Sequence, residues 1–316
     1  MELSIIVVSH NTMHVTRDCL ESILHSKIQL EYELIVVDNA SSDGSVEMIE
    51  LDFPEVYLLK NSTNLMFAKA NNQAMKIARG AYFLILNSDT IVESGNIEML
   101  YDFIHRNREK VACVGPRVLN DDRSIQSEGY CHESVRKAVC SAFGVMYWPV
   151  SIRWKRKVLP PGYVSFEVGA TRQVGWCSGA CMMINSEAAE KAGGFDEDFY
   201  FYHEEVEWCY RVRQLGYEVW VLPMSGIVHL GGASVNGKIA KSIGNKLLQQ
   251  RMLYYKKTYG IGVAFLENLT EILCYSMSAT ICLVSGRKQK YHEYANMIKT
   301  AIFRLSYIVE DLLSNM

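Results

Sequence analysis

Three short apolar runs in the first third of the chain stop abruptly at polar residues: Leu3–Val8 at Ser9-His10-Asn11, Leu34–Val37 at Asp38, and Tyr82–Leu86 at Asn87-Ser88-Asp89. Runs of this length, rich in β-branched and aromatic residues, read as buried parallel strands when helical segments alternate with them. They do here. Met13–His25 carries Val15, Cys19, Ile23 and Leu24 at helical spacing, a short helix is expected near Val46–Leu51, and Val56–Leu59 reads as a further strand. Met66–Arg79 places Phe67, Ala70, Ala74, Ile77 and Ala78 on one helical face, with Gly80 expected as a left-handed C-cap. Strand, helix and strand in succession predict βαβ units and an open, mostly parallel α/β sheet. Ligands of such sheets bind where the strands end, so the polar ends fall on one edge, where acidic groups suit a divalent cation and, through it, a phosphate.

Farther along, Glu98–Arg108 reads as a helix with Met99, Leu100, Phe103 and Ile104 apolar, and Val111–Val114 as a strand. From Asp121 to Thr171 the periodicity fades. That stretch holds Tyr147-Trp148-Pro149 and the basic residues Arg153, Lys155, Arg156 and Lys157, and reads as a long insertion. Order returns with Gln173–Asn185, a short helix ending at Gly193-Gly194, and a helix from about Glu204 to Leu215 closed by Gly216. Beyond about Asn245 the pattern is helical to the end, opened by Leu247, Leu248, Met252 and Tyr255.

A chain of 316 residues is long enough for one large α/β domain with an appendage, or for two domains. Its formal charge of -3, with both signs interspersed, argues against nucleic acid as a partner. Nine cysteines without a regular framework, among them Cys113, Cys209, Cys274 and Cys282 in apolar segments, suit packing in a reducing compartment. Cys177 and Cys181 do not form a CxxC pair and carry little weight as zinc ligands. Met1 leads straight into the first strand, so no signal peptide is expected. The longest apolar stretch, Ile272–Ser285, falls short of the ~20 residues that span a bilayer. The expectation is a cytoplasmic protein, with peripheral contact on the inner face of the membrane as a further reading.

Asp89 has the most constrained setting. Asn, Ser and Asp at a strand end are ordinary turn chemistry, yet magnesium or manganese carried with phosphates needs only one or two protein carboxylates. Asp38 allows the same two readings, either a turn with Asn39, Ser41 and Asp43 or an acceptor for a base or ribose laid across the strand ends. Ser9, His10 and Asn11 would then form the opposite wall. A denser acidic cluster follows in Phe195 to Cys209, where Glu204 and Glu205 come after a run of aromatics and His203. Acidic residues in a first helical turn complement the macrodipole, and Glu207 can pair with Arg211 at i,i+4. Carboxylates among aromatic walls are also desolvated, which makes them better bases while the helix dipole pulls the other way. His229 ends the apolar run Ile227-Val228. Alone it is more often structural, but beside Asp89 it would complete a metal site whose imidazole suits manganese better than magnesium.

Together these residues carry a resemblance. Ser4–Asn11, Val36–Ser45, Asn64–Asn72 and Leu86–Asp89 resemble the successive motifs of family 2 glycosyltransferases with the GT-A fold. Gly175–Asn185, Gly194–Glu197, His203–Cys209 with Arg211, and Val228-His229 are similar to the branch that includes rhamnosyltransferases. The resemblance implies a GT-A (Rossmann-like) α/β domain over residues 1–240, with a nucleotide-binding half at about 1–116 and an acceptor-side half at about 173–240. A helical C-terminal region over 241–316 would follow. It implies donor contacts from Ser9, His10, Asn11, Asp38, Asn71, Asn87, Ser88 and Asp89, and Mn2+ or Mg2+ held by Asp89 and His229. Glu205 falls at the catalytic-base position, with Trp176, Ser178, Gly179 and Glu204 on the acceptor side. The partners implied are a nucleoside diphosphate sugar and a glycan or lipid-linked acceptor in cell-surface polysaccharide synthesis. His10 stands where tyrosine is usual, Met66 where glycine is common, Asn87 where a first DXD aspartate often lies, and Glu205 and Glu207 where aspartates are frequent.

Rival readings fit less well. A processive polysaccharide synthase would carry a QxxRW motif and spanning helices. A dinucleotide oxidoreductase would carry GxGxxG after the first strand, where Ser9-His10-Asn11 stands instead. A catalytically silent GT-A domain acting as a binding partner in a glycan assembly complex is the non-enzymatic alternative. The C-terminal segment mixes Phe265, Leu266, Leu269, Ile272 and Leu273 with Arg287, Lys288, Lys290, Lys299 and Arg304. A helical subdomain is the preferred reading, and an interfacial membrane helix is the alternative.

Overall fold

The computed structural model describes residues 1–134, 169–200, 202–231 and 249–314, the last eight of these by backbone alone. Tyr147-Trp148-Pro149, the basic residues between 153 and 157, Phe201, Gly232, Leu247 and Leu248 lie outside the described residues. The described residues divide into two compact units. One comprises 1–131, 169–200 and 202–231, and the other 132–134 and 249–314.

The first unit is built on a mixed sheet with one parallel half. β1 (Leu3–Ser9) lies between β2 (Tyr32–Asp38) and β4 (Tyr82–Asn87), and both ladders are parallel. β3 (Tyr57–Lys60) extends this parallel half on the far side of β2. Each crossover contains a helix: α1 (Met13–His25), α2 (Ser45–Asp52) and α3 (Met66–Ile77). After β3 the chain returns across β1 to lay down β4, and this reversal opens the crevice between neighbouring strand ends that α/β folds use for ligands. The register puts Ser9 opposite Asp38 and Val8 opposite Asn87, so the three polar ends share one edge.

The other half of the sheet is mixed. β9 (Cys181–Asn185) runs antiparallel between β4 and β6 (Val111–Leu119), and β10 (Glu218–His229) runs parallel to β6. β5 (Thr90–Val92) pairs antiparallel with the end of β10, and β8 (Arg172–Gln173) pairs antiparallel with its Trp220–Val221, which completes the order β3-β2-β1-β4-β9-β6-β10-β5 with β8 beside β10. α4 (Asn96–Arg106), α5 (Ser186–Ala192) and α6 (Glu204–Gln214) complete the cover. The α6 segment ends as its sequence requires, with Gly216 in the left-handed region.

The two-residue period of β1 splits its side chains between two cores. Leu3, Ile5 and Val7 pack with Cys19, Leu20 and Ile23 of α1 and with Ile97, Leu100 and Ile104 of α4. Ile6 packs with Ala68, Ala70 and Ala74 of α3 and with Trp208, Cys209 and Val212 of α6. Both faces are buried, which is why β1 reads as a continuous apolar run; each buried Leu or Ile contributes about 1.5–3 kcal/mol of transfer free energy. The eight described cysteines are buried free thiols.

Three expectations are corrected. Gly80 is not a left-handed cap: α3 closes on Ala78 in an extended conformation. A Cβ on Gly80 would lie 2.4 Å from the Ser4 backbone nitrogen, and its N–H donates to Ser4 Oγ at 2.9 Å, so glycine serves close approach to β1. Ile77 is exposed, because the buried face of α3 is made by Ala68, Ala70, Asn71, Asn72 and Ala74. The Asp121–Thr171 stretch also contains β7 (Ile125–Ser127), antiparallel to β6; three residues with two exposed are too few to give a periodic signal.

Candidate functional site

The parallel strand ends form one wall. Asp38 is 1% exposed; its Oδ1 accepts from the Ser41 N–H at 2.9 Å, while Oδ2 has no hydrogen-bond partner. A buried carboxylate oxygen without a donor is costly unless a ligand supplies one. His10 Nδ1 donates to the Asn39 carbonyl at 2.7 Å and its Nε2 accepts from Asn11 Nδ2 at 3.2 Å, which fixes the ring and its tautomer. Asn11 also orders the loop after β2, accepting from the Ser42 N–H at 2.7 Å. Ser9, Thr12, Thr16 and Ser88 form a buried cluster of hydroxyls 3.0–3.2 Å apart, so Ser9 and Ser88 tie the ends of β1 and β4 to the start of α1. Asn71 donates to the Phe67 carbonyl within α3, leaving its buried Oδ1 unpartnered. Met66 takes φ 63°, a left-handed conformation that suits glycine, and this explains the preference for glycine at that place.

Asp89 and His229 meet because the β5–β10 ladder sets His229 opposite Thr90. His229 Nε2 lies 3.2 Å from Asp89 Oδ1 and 3.4 Å from Asn87 Nδ2. Its Nδ1 lies 2.8 Å from Gln126 Oε1, and Gln126 spends its amide N–H on Asn120 Oδ1 at 2.9 Å. The network therefore puts a proton on Nδ1 and turns Nε2 toward the carboxylate. Between an imidazole lone pair and a carboxylate oxygen, only a proton or a cation is stable. Among the described residues no three or more His, Cys, Asp or Glu side chains converge as a metal cage, but two protein ligands suffice when phosphate and water supply the rest. The donor pair fits Mn2+ or Mg2+. Gln126, on β7, was missed from sequence because nothing in its neighbourhood marks it; only the β6–β7 pairing brings it under the imidazole.

The acidic pair opens α6. Tyr202 and His203, with φ of 68° and 75°, form a left-handed corner immediately before Glu204; two such non-glycine residues in succession mark a constrained backbone of the kind found at functional sites. Glu204 and Glu205 are both buried, and each has an Oε2 without a hydrogen-bond partner. For Glu205, burial raises the pKa while backbone N–H groups, including that of Gly179, lower it; burial wins and pushes the carboxyl up to about 7. Burial and then the Glu205 charge push Glu204 well above the carboxylate range. The Tyr202 phenol is raised by burial and then by the charges of Glu205, Glu204 and Asp89. Gly179 sits between the Phe67 ring and the Glu205 carboxyl. Trp176 stacks on Tyr130 with centroids 3.8 Å apart, and its buried Nε1 has no partner. Ser178 bonds within its own turn, accepting from the Ala180 N–H at 3.3 Å.

Other residues of the acidic segment hold the frame. Glu207 pairs with Arg211 at 2.7 Å, and Arg211 also donates to the Ala192 and Gly194 carbonyls. Asn72 accepts from the Phe195 N–H and donates to the Phe195 carbonyl, both at 2.8 Å. A Cβ on Gly194 would lie 2.4 Å from Asn72 Oδ1. Gly194→Ala is therefore expected to destabilise the protein by about 1–3 kcal/mol, read as a lowered urea midpoint with unchanged slope.

Residues 4–192 match the profile of glycosyl transferase family 2. The chain belongs to that family. The match ends before Glu205, at the start of α6, and before His229, which the β5–β10 ladder sets beside Asp89. This family 2 member is 26% identical over 208 residues to the N-acetylglucosaminyl-diphospho-decaprenol L-rhamnosyltransferase of Mycobacterium tuberculosis, covering 62% of this chain and 66% of that protein. It is 26% identical over 217 residues to the low-salt glycan biosynthesis hexosyltransferase Agl10 of Haloferax volcanii, covering 67% and 62%. The matches thus span just under two thirds of these relatives, and they ally the family 2 member with the rhamnosyltransferase-like branch. Its fold is GT-A. The mannosyltransferase PcManGT from Pyrobaculum calidifontis, in complex with GDP-Man and Mn2+, aligns with a TM-score of 0.58 at 15% identity over 100% of this chain and 88% of that one. GalNAc-T7 with UDP, GalNAc and Mn2+ aligns with a TM-score of 0.55 at 19% identity over 72% and 44%.

Proposed function

We propose that the protein transfers a sugar, with rhamnose among the candidates, from a nucleoside diphosphate donor to a hydroxyl of a glycan or lipid-linked acceptor, inverting the anomeric centre. The observation that carries this is Glu205, a buried carboxyl raised to about 7 with one unpartnered oxygen, at the start of a helix whose neighbouring Tyr202 phenol feels the charges of both Glu205 and Asp89. A base is most effective when its pKa lies near the working pH.

Asp38 receives the base or ribose of the donor through its unpartnered Oδ2, with His10 and Asn11 forming the opposite wall. Asp89 and His229 would hold Mn2+ or Mg2+, which supplies charge neutralisation to the leaving diphosphate. Glu205 takes the proton of the acceptor hydroxyl. The new bond forms from that oxygen to the anomeric carbon as the bond to the diphosphate oxygen breaks, and the nucleoside diphosphate leaves. The stacked Tyr130–Trp176 pair and the Glu204 carboxyl stand on the acceptor side. A lipid-linked acceptor would bring the chain to a membrane surface; among the described residues no helix is long and apolar enough to cross one.

The deciding experiment offers a panel of nucleotide sugars with manganese and a set of hydroxyl acceptors, and assigns the anomer formed by NMR. Donor binding without product under every acceptor would favour the silent-domain reading, and a retained anomeric configuration would remove the single-displacement step. Gln126→Leu is expected to weaken manganese affinity about 10–100-fold by freeing the His229 ring, as outer-shell partners of metal-bound histidines do. Unchanged affinity by titration calorimetry would disprove that support.

A further inference from the structure

The second unit contains a long helical hairpin, α7 (Ile261–Val284) and α8 (Lys288–Ser314), packed with the helical stretch 249–259. α7 is amphipathic in the reverse sense for a helix facing water. Its only charged residues, Glu267 and Glu271, are buried. Arg251 Nη2 lies 2.6 Å from Glu267 Oε1, Arg251 Nη1 donates to Glu271 Oε1 at 2.8 Å, and the buried Arg304 donates to Glu271 Oε2 at 2.6 Å. The outward side carries Leu266, Leu273, Met277, Ile281 and Val284 at the spacing of one helical face, with Ile281 63% and Val284 84% exposed. A fold that buries an ion network and leaves aliphatic side chains outside is arranged for an apolar neighbour, since buried pairs give little net stability and exposed aliphatics give none.

The charge at the end of this face identifies the neighbour. From 272 to 292 the sequence has no carboxylate, and it carries Arg287, Lys288 and Lys290 on the exposed turn into α8, followed by Tyr291. A second copy of the same face would bring no acid to pair with these cations. A bilayer takes aliphatic side chains below its headgroups and basic ones among anionic headgroups, with the helix lying in the plane of the surface.

We infer that the outward face of α7 and the α7–α8 turn form a docking surface for an anionic lipid bilayer. This goes beyond the proposed sugar transfer and holds whether or not transfer occurs. The test sediments the full chain with sucrose-loaded vesicles of phosphatidylcholine alone or mixed with phosphatidylglycerol. The chain should follow the phosphatidylglycerol vesicles, and less so as salt rises. Lys288→Ala with Lys290→Ala should lose roughly thirty-fold in affinity for them, at about 1 kcal/mol per basic residue near the surface. Ile281→Glu, at an exposed position where folding is undisturbed by circular dichroism, should abolish binding. Wild-type protein left in the supernatant would overturn the inference, as would a dimer in sedimentation velocity that Ile281→Glu disperses without vesicle binding. Transfer to a water-soluble acceptor analogue should be equal in all these variants, so failure here and failure of the proposed activity remain distinct.

Discussion

Glu205→Gln is expected to lower the turnover of sugar transfer by about 10²–10⁴-fold, the usual contribution of a general base, while leaving donor and manganese binding nearly intact. The amide keeps the shape of the side chain and cannot accept the acceptor's proton. The wild-type pH profile should carry a limb governed by the same group. With the carboxyl at about 7, the competent base is the ionised form, so the rate rises with pH through neutrality, and this limb should vanish in the variant. Stability should move the opposite way. A carboxyl whose folded pKa is raised above its unfolded value contributes stability that is fully present below about 4.5 and is lost as pH rises through about 7. The wild type therefore gives up on the order of 3 kcal/mol between those limits, and Glu205→Gln should melt higher than wild type at pH 8. A variant that turns over at close to the wild-type rate, or that keeps the neutral limb of the pH profile, would remove Glu205 from the base position, and one that melts lower than wild type at pH 8 would contradict the raised carboxyl.

Asp89→Asn is the second large effect. The carboxylate is buried against His229 Nε2, and replacing it by a neutral amide of the same size removes the charge without emptying the corner. Loss of charge stabilisation worth several kcal/mol corresponds to a fall of about 10³-fold in transfer, together with loss of manganese binding by calorimetry. Donor binding measured without metal should change little, because Asp38 and the β1 end stand apart from this exchange. Equal wild-type activity with manganese and with a chelator would show that the Asp89–His229 pair has another purpose, such as an ion pair locking β5 to β10.

Both predictions rest on features that differ in how far they can be read from the chain. The helix Met13–His25 and the strand ends at Ser9, Asp38 and Asn87 were legible because they depend on local patterns: helical spacing, β-branched runs and turn residues at their ends. The role of Gly80 was not, since a glycine after a helix looks like a cap whether the constraint is its own φ or a strand packed 2.4 Å from its missing Cβ. The opposing pulls on Glu205 were visible as burial against helix N–H groups, but the balance depends on how completely the fold buries the carboxyl beside Gly179. The sense of α7 was the least legible. Its apolar residues spread around the helix, and only the positions of Arg251 and Arg304 reveal that the charged side points inward.

The sequence alone determined the parallel strands, the edge on which their polar ends gather, and the family to which the motifs belong, because each follows from residues close together along the chain. Tertiary structure decided which distant groups share that edge. It set His229 against Asp89 through the β5–β10 register, oriented the imidazole with Gln126, and moved the Glu205 carboxyl into the neutral range. Those are properties of distance and desolvation between residues far apart in sequence, and they come into being only when the sheet brings the residues together.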